Sequence, residues 1–598
     1  MKTNPYSTHK KEVFKYSVHL KLRMAAMLFF LLFSIYQKAN AQAPDWQWAR
    51  QMAGTYSSGQ GIYVDGSGNV YSTGNFWGTV DFDPGTALFS LTGTGADDGY
   101  ISKLDASGNF LWAKAFNGVG GFLGIDIATD ASGNVYSTGI FRNTSDFDPG
   151  EAIYNLTATG DADIYISKLD DAGNFVWAKA LYGTEGNWNW PTSLAVDPAT
   201  GDVYTTGYFY GTVDFDPGAG VFNLTAQEAG GIFISKINHA GNFLWAISLG
   251  STAEARGLKI IIDNSGNIYS AGGFQGTVDF DPGPGTYNLT CVDSDDLYIL
   301  KLDASGNFLM ALQLGGEGFE YVKDLTIDNT NGDIYAAGSF DGTVDFDPGS
   351  GVFNLTANGE WDSYIFKLNS TGNFLWAKSV GGPNNEVLQS IALEAQSAHR
   401  GVYVMGSFSG TVDFDPGTGT YNLTSAGNED PYIIKLDVGS GDFIWAKRFG
   451  DTHTDIAISM ALDNAGCPYL TGFFYSPDLS FATITGTTTF SNPDGNSDAF
   501  VVKLDTTIST GIVNIESSNR ISVYPNPALE QLNICYPNAS GKALLVSISD
   551  FTGKVIYQTN SLPIGRLEVN TRDFANGIYL VQIQTEELRE SIKVVIQH

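Results

Sequence analysis

The stretch Gly78-Thr79-Val80-Asp81-Phe82-Asp83-Pro84-Gly85 returns along the chain at nearly constant spacing. Its Asp-Phe-Asp core begins at Asp81, Asp146, Asp214, Asp279, Asp345 and Asp413, in steps of 65, 68, 65, 66 and 68 residues. A period of that length describes an array of supersecondary units instead of one irregular core. Two further marks recur. Gly-x-Phe begins at Gly74, Gly139, Gly207, Gly272, Gly338, Gly406 and Gly472, and a lysine closes an alternating segment at Lys103, Lys168, Lys236, Lys301, Lys367, Lys435 and Lys503. Each mark occurs seven times, which sets the expected number of units.

One repeat reads as four strands. Ile125–Ala128 alternates, Asp130-Ala-Ser-Gly-Asn134 turns, and Val135–Phe141 runs back rich in β-branched and aromatic residues. After a long insert, Ile164–Leu169 alternates, Asp170–Asn174 turns again, and Phe175–Lys179 closes the unit. In these loops Asp caps its own turn and Gly takes the positive φ of a tight hairpin. Four-stranded units repeated seven times suit a propeller, which exposes only short sheet edges. The chain ends strengthen this. The seventh unit stops at Asp505 without its last strand, while Trp46-Gln-Trp48-Ala49-Arg50 stands alone at the start and matches Trp112-Ala-Lys, Trp177-Ala-Lys and their equivalents. The expectation is an all-β, seven-bladed β-propeller over residues 42–505, closed by an N-terminal strand that removes the free sheet edge. The recurring Trp are read as core residues.

Gly-x-Phe, Lys-Leu-Asp and Asn-Phe-Leu-Trp-Ala-Lys at a period near 66 resemble the bacterial beta-propeller repeat family known as SBBP. The resemblance covers about residues 45–505 and implies a seven-bladed ring placed outside the cell. It implies no single activity, since a fold of this kind hosts many.

A blade needs about 40 to 45 residues, and nearly every unit carries roughly 20 more between its second and third strands. Inside them a second aromatic stands seven places after the first, from Phe82 and Phe89 through Phe414 and Tyr421. The spacing predicts an appended hairpin whose two aromatics meet across its strands, with six such hairpins crowning one face of the disc. The paired carboxylates Asp81 and Asp83, Asp146 and Asp148, Asp214 and Asp216, Asp279 and Asp281, Asp345 and Asp347, and Asp413 and Asp415 are weak candidates for calcium. Hard cations favour oxygen clusters, but two carboxylates fall short of the six or more ligands calcium takes. The competing reading has these Asp capping the Asp-Pro-Gly turn. No other cofactor is expected. Asn-Leu-Thr at Asn155, Asn223, Asn288, Asn354 and Asn422 reads as a strand-end motif.

Formal net charge is -32. Residues 1–41 hold seven Lys/Arg and one acidic residue, so the remainder carries 25 basic against 63 acidic side chains, a net of -38. That field repels phosphate backbones and argues against nucleic acid as partner. Lys10, Lys11, Lys15, Lys21 and Arg23 precede the apolar run Met24–Ile35, and Ala39-Asn-Ala41 follows. This reads as a secretory signal peptide cleaved after Ala41. The run covers about 18 Å as a helix, short of a bilayer core, so no transmembrane segment is expected. Cys291, Cys467 and Cys535 are far apart and odd in number, and read as lone packed thiols.

Residues 506–520 lose the repeat and read as a linker. Beyond them seven short strands in residues 521–598 predict a small β-sandwich. Tyr524-Pro525-Asn526-Pro527, Asp550-Phe-Thr-Gly553-Lys554, Asn576-Gly577-Ile578-Tyr579-Leu580 and Ile592-Lys593-Val594-Val595 closely resemble the type A C-terminal sorting domain of type IX (Por) secretion. The resemblance makes Pro525, Asn526, Pro527, Gly553, Gly577, Tyr579 and Lys593 the sorting signal and the secretion machinery its partner. It implies Sec export to the periplasm, passage across the outer membrane, and release or anchoring at the cell surface.

Beyond the leader only His239, His399, His453 and His598 remain, none recurring and none in a nucleophile or metal pattern. Near-identical units also argue against catalysis, and no catalytic residue is assigned. The expected function is an exported, non-catalytic surface module for binding or adhesion, with an extracellular glycan or protein as ligand. A carbohydrate-active enzyme and a purely structural surface component are the alternatives.

Overall fold

The computed structural model describes residues 43–506, apart from 96, 119, 185–187, 228, 251, 293 and 395–399. In the tail it describes 522–524, 531–535, 545–550, 554–559, 566–584 and 589–596. The leader 1–41, the linker beyond Thr506, His399, His598, Pro525, Asn526, Pro527 and Gly553 lie outside the described residues. The chain divides into two compact units, with the boundary between Thr506 and Thr507. All the regular structure among the described residues is strand, and none of it is a helix long and apolar enough to cross a membrane.

Each repeat folds as an antiparallel meander. In the second unit Phe122–Thr129 pairs with Val135–Phe141, which pairs with Asp163–Leu169, which pairs with Phe175–Gly183. Aspartate sets the hairpin loops, as their composition predicts. Asp65 Oδ1 accepts from the N–H groups of Ser67 (2.8 Å) and Asn69 (2.9 Å), Oδ2 accepts from Asn69 Nδ2, and Gly68 sits at φ +81°. The same arrangement recurs at Asp105, Asp130, Asp170, Asp263 and Asp303. The first strands of successive units, beginning with the Tyr56–Val64 half of Trp46–Val64 and ending with Asp455–Leu462, touch one another in order, and the last touches the first. The arrangement is propeller-like.

Closure is made by one strand that serves two sheets. Trp46–Val64 pairs antiparallel with Asp498–Leu504 through Trp48↔Lys503, Arg50↔Val501 and Met52↔Ala499. From Tyr56 to Val64 it pairs with Val70–Asp81. Its first half is thus the fourth strand of the last unit and its second half the first strand of unit one. Trp48 lies edge-on to Tyr469 (5.7 Å between centroids), and Trp46 packs against Phe449 (5.0 Å) and Phe481 (5.6 Å).

The recurring lysine has a physical role that its position alone does not reveal. In all seven units its ammonium lies over the ring of a tyrosine on the second strand, at 4.6 to 5.0 Å from the centroid in Lys503 over Tyr469, Lys168 over Tyr136 and Lys103 over Tyr71. Nearby carboxylates complete the charge balance, as in Lys503 to Asp463 (3.1 Å) and Lys367 to Asp333 (2.9 Å). Lys168 Nζ and Trp177 Nε1 both donate to the His239 carbonyl, in the third-to-fourth-strand hairpin of the next unit. A desolvated cation on an aromatic face contributes about 2 kcal/mol or more, so this layer joins neighbouring units as well as filling them.

The inserts differ from expectation in two respects. Their aromatics do not meet. Phe82 is fully buried against Phe76 (5.5 Å) and Tyr100 (4.9 Å), whereas Phe89 stays partly exposed and lies on Phe110 (4.8 Å). The pattern holds for Tyr154 on Phe175, Phe222 on Phe243 and Phe353 on Phe374. Nor do the hairpins crown a face. Val80 and Phe82 share one apolar cluster with Trp48 and Met52 of the preceding sheet and with Tyr100 of their own. The hairpin also pairs with the preceding fourth strand, as in Gly118↔Ser145, Tyr182↔Asp214 and Gly315↔Asp345. The physical reason is geometric: sheets that radiate from an axis diverge with distance, and the insert fills the wedge between them.

In the tail, Ser522–Tyr524, Gln531–Cys535 and Arg566–Asn570 form one antiparallel sheet. Val555–Thr559, Leu545–Asp550, Gly577–Gln584 and Arg589–Ile596 form another. Both contribute to a single cluster that includes Leu532, Ile534, Val546, Val569, Val581 and Val594. Tyr579 is buried in it and donates its hydroxyl to the Ala575 carbonyl (2.8 Å). Gly577 opens a strand opposite Ile596, and Lys593 pairs with Leu580 and faces solvent.

Closure predicts a strong dependence on the first described strand. Trp48→Ala should cost about 3–5 kcal/mol, and deletion of residues 43–52 should lower the unfolding temperature further. A calorimetric melt unchanged by the deletion would refute this role.

Candidate binding site

Variation between units gathers where the first strands begin. At that end the residues flanking each Gly-x-Phe, and those just before and after the start of each first strand, change from unit to unit while the scaffold below them repeats. In unit three Trp188 and Trp190 stack (6.4 Å, 14° between planes), and the Arg142 guanidinium of unit two lies 4.5 Å over Trp188. Trp190 pairs with Tyr208, whose neighbour Tyr210 sets its hydroxyl 3.4 Å from Glu254 Oε1 of unit four. Arg256 Nε donates to the same Oε1 (2.9 Å), and its guanidinium lies 5.8 Å from the Tyr208 centroid. In unit five Tyr321 packs on Trp361 (5.5 Å), with Phe319 on its other flank (6.4 Å). The result is a continuous band of aromatic and charged side chains from Arg142 to Trp361.

A second, smaller patch joins units seven and one, where Phe473 meets Tyr475 (5.7 Å) and Tyr56 meets Trp77 (5.9 Å). The same register in unit six holds Asn385, Ser407 and Ser409. The rim is therefore asymmetric although the scaffold is not.

Within the band, Glu254, Arg256, Leu258, Gly273, Asp295 and Tyr321 line a small cleft. Gly273 makes it possible: it stands where unit three has Tyr208 and unit five has Ser339, so no side chain fills the space. Burial raises the Asp295 carboxyl above the ordinary carboxylate range, opposed by the Gln275 amide and the Arg256 charge. The cleft has room for little more than a water molecule, so what the band offers is an open surface of aromatic faces beside a few polar groups.

The twelve insert carboxylates sit elsewhere, in the wedges. Asp81 Oδ1 accepts from the N–H groups of Asp83 (3.1 Å) and Phe89 (2.9 Å), and Asp83 Oδ1 accepts from Gly85 N–H (2.8 Å). Asp146 and Asp148 repeat this with Tyr154 and Gly150, and Asp214 and Asp216 with Phe222 and Gly218. Asp279 with Asp281, Asp345 with Asp347, and Asp413 with Asp415 follow suit. Each first Asp staples the two hairpin strands and each second Asp caps the turn. Among the described residues no group of three or more His, Cys, Asp or Glu side chains is placed to hold a metal ion.

A third aspartate escaped sequence reasoning. Asp98, Asp163, Asp296, Asp362, Asp430 and Asp498 open the third strands and are buried. Asp98 accepts from Thr94 N–H (2.7 Å) on the returning insert and from Gly118 N–H (3.0 Å) on the departing fourth strand. Asp163 does the same with Thr159 and Gly183. Their recurrence in six units was a usable signal, hidden among dozens of other Asp.

At the fifth-to-sixth junction the third-strand aspartate gains an acidic neighbour. Glu386 is fully buried, donates its N–H to the Trp361 carbonyl (2.8 Å), and accepts from Gly382 N–H at 2.6 Å. Burial pushes its carboxyl up to about 8, with the Asp362 charge adding to the rise and the Gly382 N–H opposing it. Burial likewise raises Asp362.

The comparisons with known proteins fall into three groups. Residues 522–597 match the family described as "Secretion system C-terminal sorting domain". That tail indicates type IX secretion sorting, interaction with the type IX machinery, and a secreted or outer-membrane surface location. The chain is 23% identical over 518 residues to an uncharacterized WD repeat-containing protein, L264, of Acanthamoeba polyphaga mimivirus, covering 73% of this chain and 36% of that protein. It is 24% identical over 276 residues to the regulatory protein FlaEY of Caulobacter vibrioides, covering 44% of this chain and 26% of that one. The chain thus spans about a third or less of these relatives' lengths. Among solved structures, a quinohemoprotein alcohol dehydrogenase from Pseudomonas putida HK5 aligns at 11% identity and a TM-score of 0.36, over 82% of this chain and 80% of that one. A score that low carries nothing about activity.

The raised Glu386 predicts a pH dependence. Folding retains a proton at Glu386 that the unfolded chain has released, so its contribution is full below the unfolded value of 4.5 and is lost as pH rises through about 8. Thermal stability should therefore fall between pH 5 and pH 9, and Glu386→Gln should flatten that fall. Melts whose pH slope is the same in both proteins would contradict the assignment.

Proposed function

We propose that the protein is an exported, non-catalytic glycan-binding module carried on a closed seven-bladed β-propeller and delivered to the cell surface by its C-terminal β-sandwich. In this reading each four-stranded unit is a blade, and the leader 1–41 takes the chain to the periplasm before the tail engages the secretion machinery.

The observation that carries the proposal is where the units differ. Their cores, loops, Tyr–Lys layer and six of the seven inserts repeat almost without change, while the rim from Arg142 to Trp361 is individual and rich in Trp and Tyr, with Trp188 and Phe319 about 40% exposed. Flat aromatic faces stack on the apolar faces of sugar rings, and Arg256, Glu254, Gln275 and Asp295 offer hydrogen bonds to ring hydroxyls. A surface that only held a wall together would not need such a rim.

Glycan-array screening of the purified mature protein should identify saccharide ligands. Trp361→Ala and Trp188→Ala should each weaken binding to them about tenfold, equivalent to about 1.4 kcal/mol, without lowering the melting temperature. An array without binders, or hydrolysis of chromogenic glycosides by the wild type, would displace this reading.

A further inference from the structure

Every first strand carries one extra residue at the same register. Its pairing with the second strand skips a position at Gln60, Ile125, Thr192, Leu258, Lys323, Gln389 and Ile458. A bulge leaves its extra residue out of the ladder and re-aims its side chain. Here the preceding residue is buried in every unit, from Gly59 to Ala457, whereas the bulged residue keeps exposure. The first strands touch in a cycle, so the space these residues reach is the shaft that the strands enclose. Six of the seven are neutral. The seventh, Lys323, is a cation and is the most exposed of them.

The next position along the strands is charged in three units, and both of its acids are fully engaged. Asp126 accepts from Ser193 Oγ (3.0 Å), Leu194 N–H (2.9 Å) and Ile127 N–H (2.9 Å). Asp324 accepts from Ser390 Oγ (2.7 Å), Ile391 N–H (3.0 Å) and Leu325 N–H (2.8 Å), and pairs with Lys259 Nζ at 3.2 Å. The charge of Asp126 also acts on Lys259. Lys259 keeps partial exposure, and its ammonium reaches Asp324 of the next unit at this same level. Lys323 makes no ion pair among the described residues. The protein that surrounds it lowers its pKa by desolvation although the side chain itself still reaches solvent, a shift that Asp324 opposes and Lys259 reinforces. An ammonium held in that setting gains from any anion that enters. Gln389 at the same level offers an amide donor, whereas Gln60 Nε2 already donates to Ser58 Oγ (3.0 Å) and Thr192 turns its hydroxyl back to the Thr206 and Gly257 carbonyls (3.2 and 2.9 Å). The remaining three, Ile125, Leu258 and Ile458, are apolar.

We propose that the shaft is an oxyanion-binding site in which Lys323 takes the carboxylate of an acidic sugar whose ring rests on the rim. The link between the two parts is covalent and short. Tyr321, which packs on Trp361 at the rim, is two residues before Lys323 on the same strand, a rise of about 7 Å. The net negative charge of the chain does not forbid this, because exposed charges beyond about 8 Å are largely screened at physiological ionic strength. At the mouth, Glu254 is already neutralised by Arg256.

The proposal rests on the glycan-binding reading and is tested by calorimetric titration of the full mature protein. The probes are galacturonate and glucuronate trisaccharides, their neutral galactose and glucose counterparts, and sodium sulfate at constant ionic strength. A uronate trisaccharide should bind at least tenfold more tightly than its neutral counterpart. Lys323→Gln should abolish that preference while leaving neutral binding within about twofold, and Lys323→Arg should keep it. A preference that survives Lys323→Gln, or a wild type that favours the neutral sugar, overturns the proposal. Sulfate should bind the wild type and not Lys323→Gln. Failure of sulfate to bind the wild type overturns the anion site, whereas sulfate binding with no saccharide bound keeps that site and removes the glycan reading alone.

Discussion

The pairing of Trp46–Met52 with Asp498–Leu504 is the interaction on which the remainder of the repeat region depends. A row of sheets that each bury a face only against their neighbours leaves two raw faces and two raw edges at its ends. One strand taken from the start of the chain and laid beside the last sheet turns both ends into interior. The same strand then runs on as the first strand of unit one, so the closing contact is continuous with the core and is not a tail folded over it. Trp46 and Trp48 supply the apolar area that holds it, Trp46 packed between Phe449 of the sixth unit and Phe481 of the seventh, and Trp48 against Tyr469 of the seventh.

Circular packing creates its own problem, since sheets that meet near an axis separate further out. Two devices in this chain answer it. On the hairpin-loop side, Lys over Tyr with Trp at the flank reaches into the next unit's loop. On the other side, the insert hairpin enters the wedge, burying one aromatic in the inter-sheet core and resting the other on its own fourth strand. Aspartates fasten the insert at both ends: half-buried Asp81 and its equivalents across the hairpin, and buried Asp98 and its equivalents where the insert returns. Much of the acidity that looks like a surface property is thus internal stapling, with carboxylates accepting from backbone N–H groups that would otherwise be unpaired.

A scaffold so repetitive leaves few places where individuality is tolerated. Residues on the sheet faces must match a neighbour, and residues in the capped loops must match a turn. Only the first-strand entrances and the bulges inside the ring touch neither, and there the units diverge into Trp, Tyr, Arg, Glu and Lys. The rim and the shaft are accordingly the parts of the molecule on which selection for a ligand could act without disturbing closure.

Periodicity alone gave the four-strand pattern, the Asp-Gly hairpins and the displaced first strand. The matched residues of the tail pointed to type IX sorting. These are local or one-dimensional signals: an alternating strand, a turn that needs Gly, a motif in order. Where the inserts go was not legible, because Phe82 and Phe89 are chemically alike and only the position of the preceding sheet sends one inward and leaves the other at the surface. The candidate site was illegible for the same reason. Arg142, Trp190, Arg256, Tyr321 and Lys323 are scattered over almost 200 residues and recur in no motif, and they become a rim and a shaft only when the tertiary structure brings the starts of several first strands around one axis.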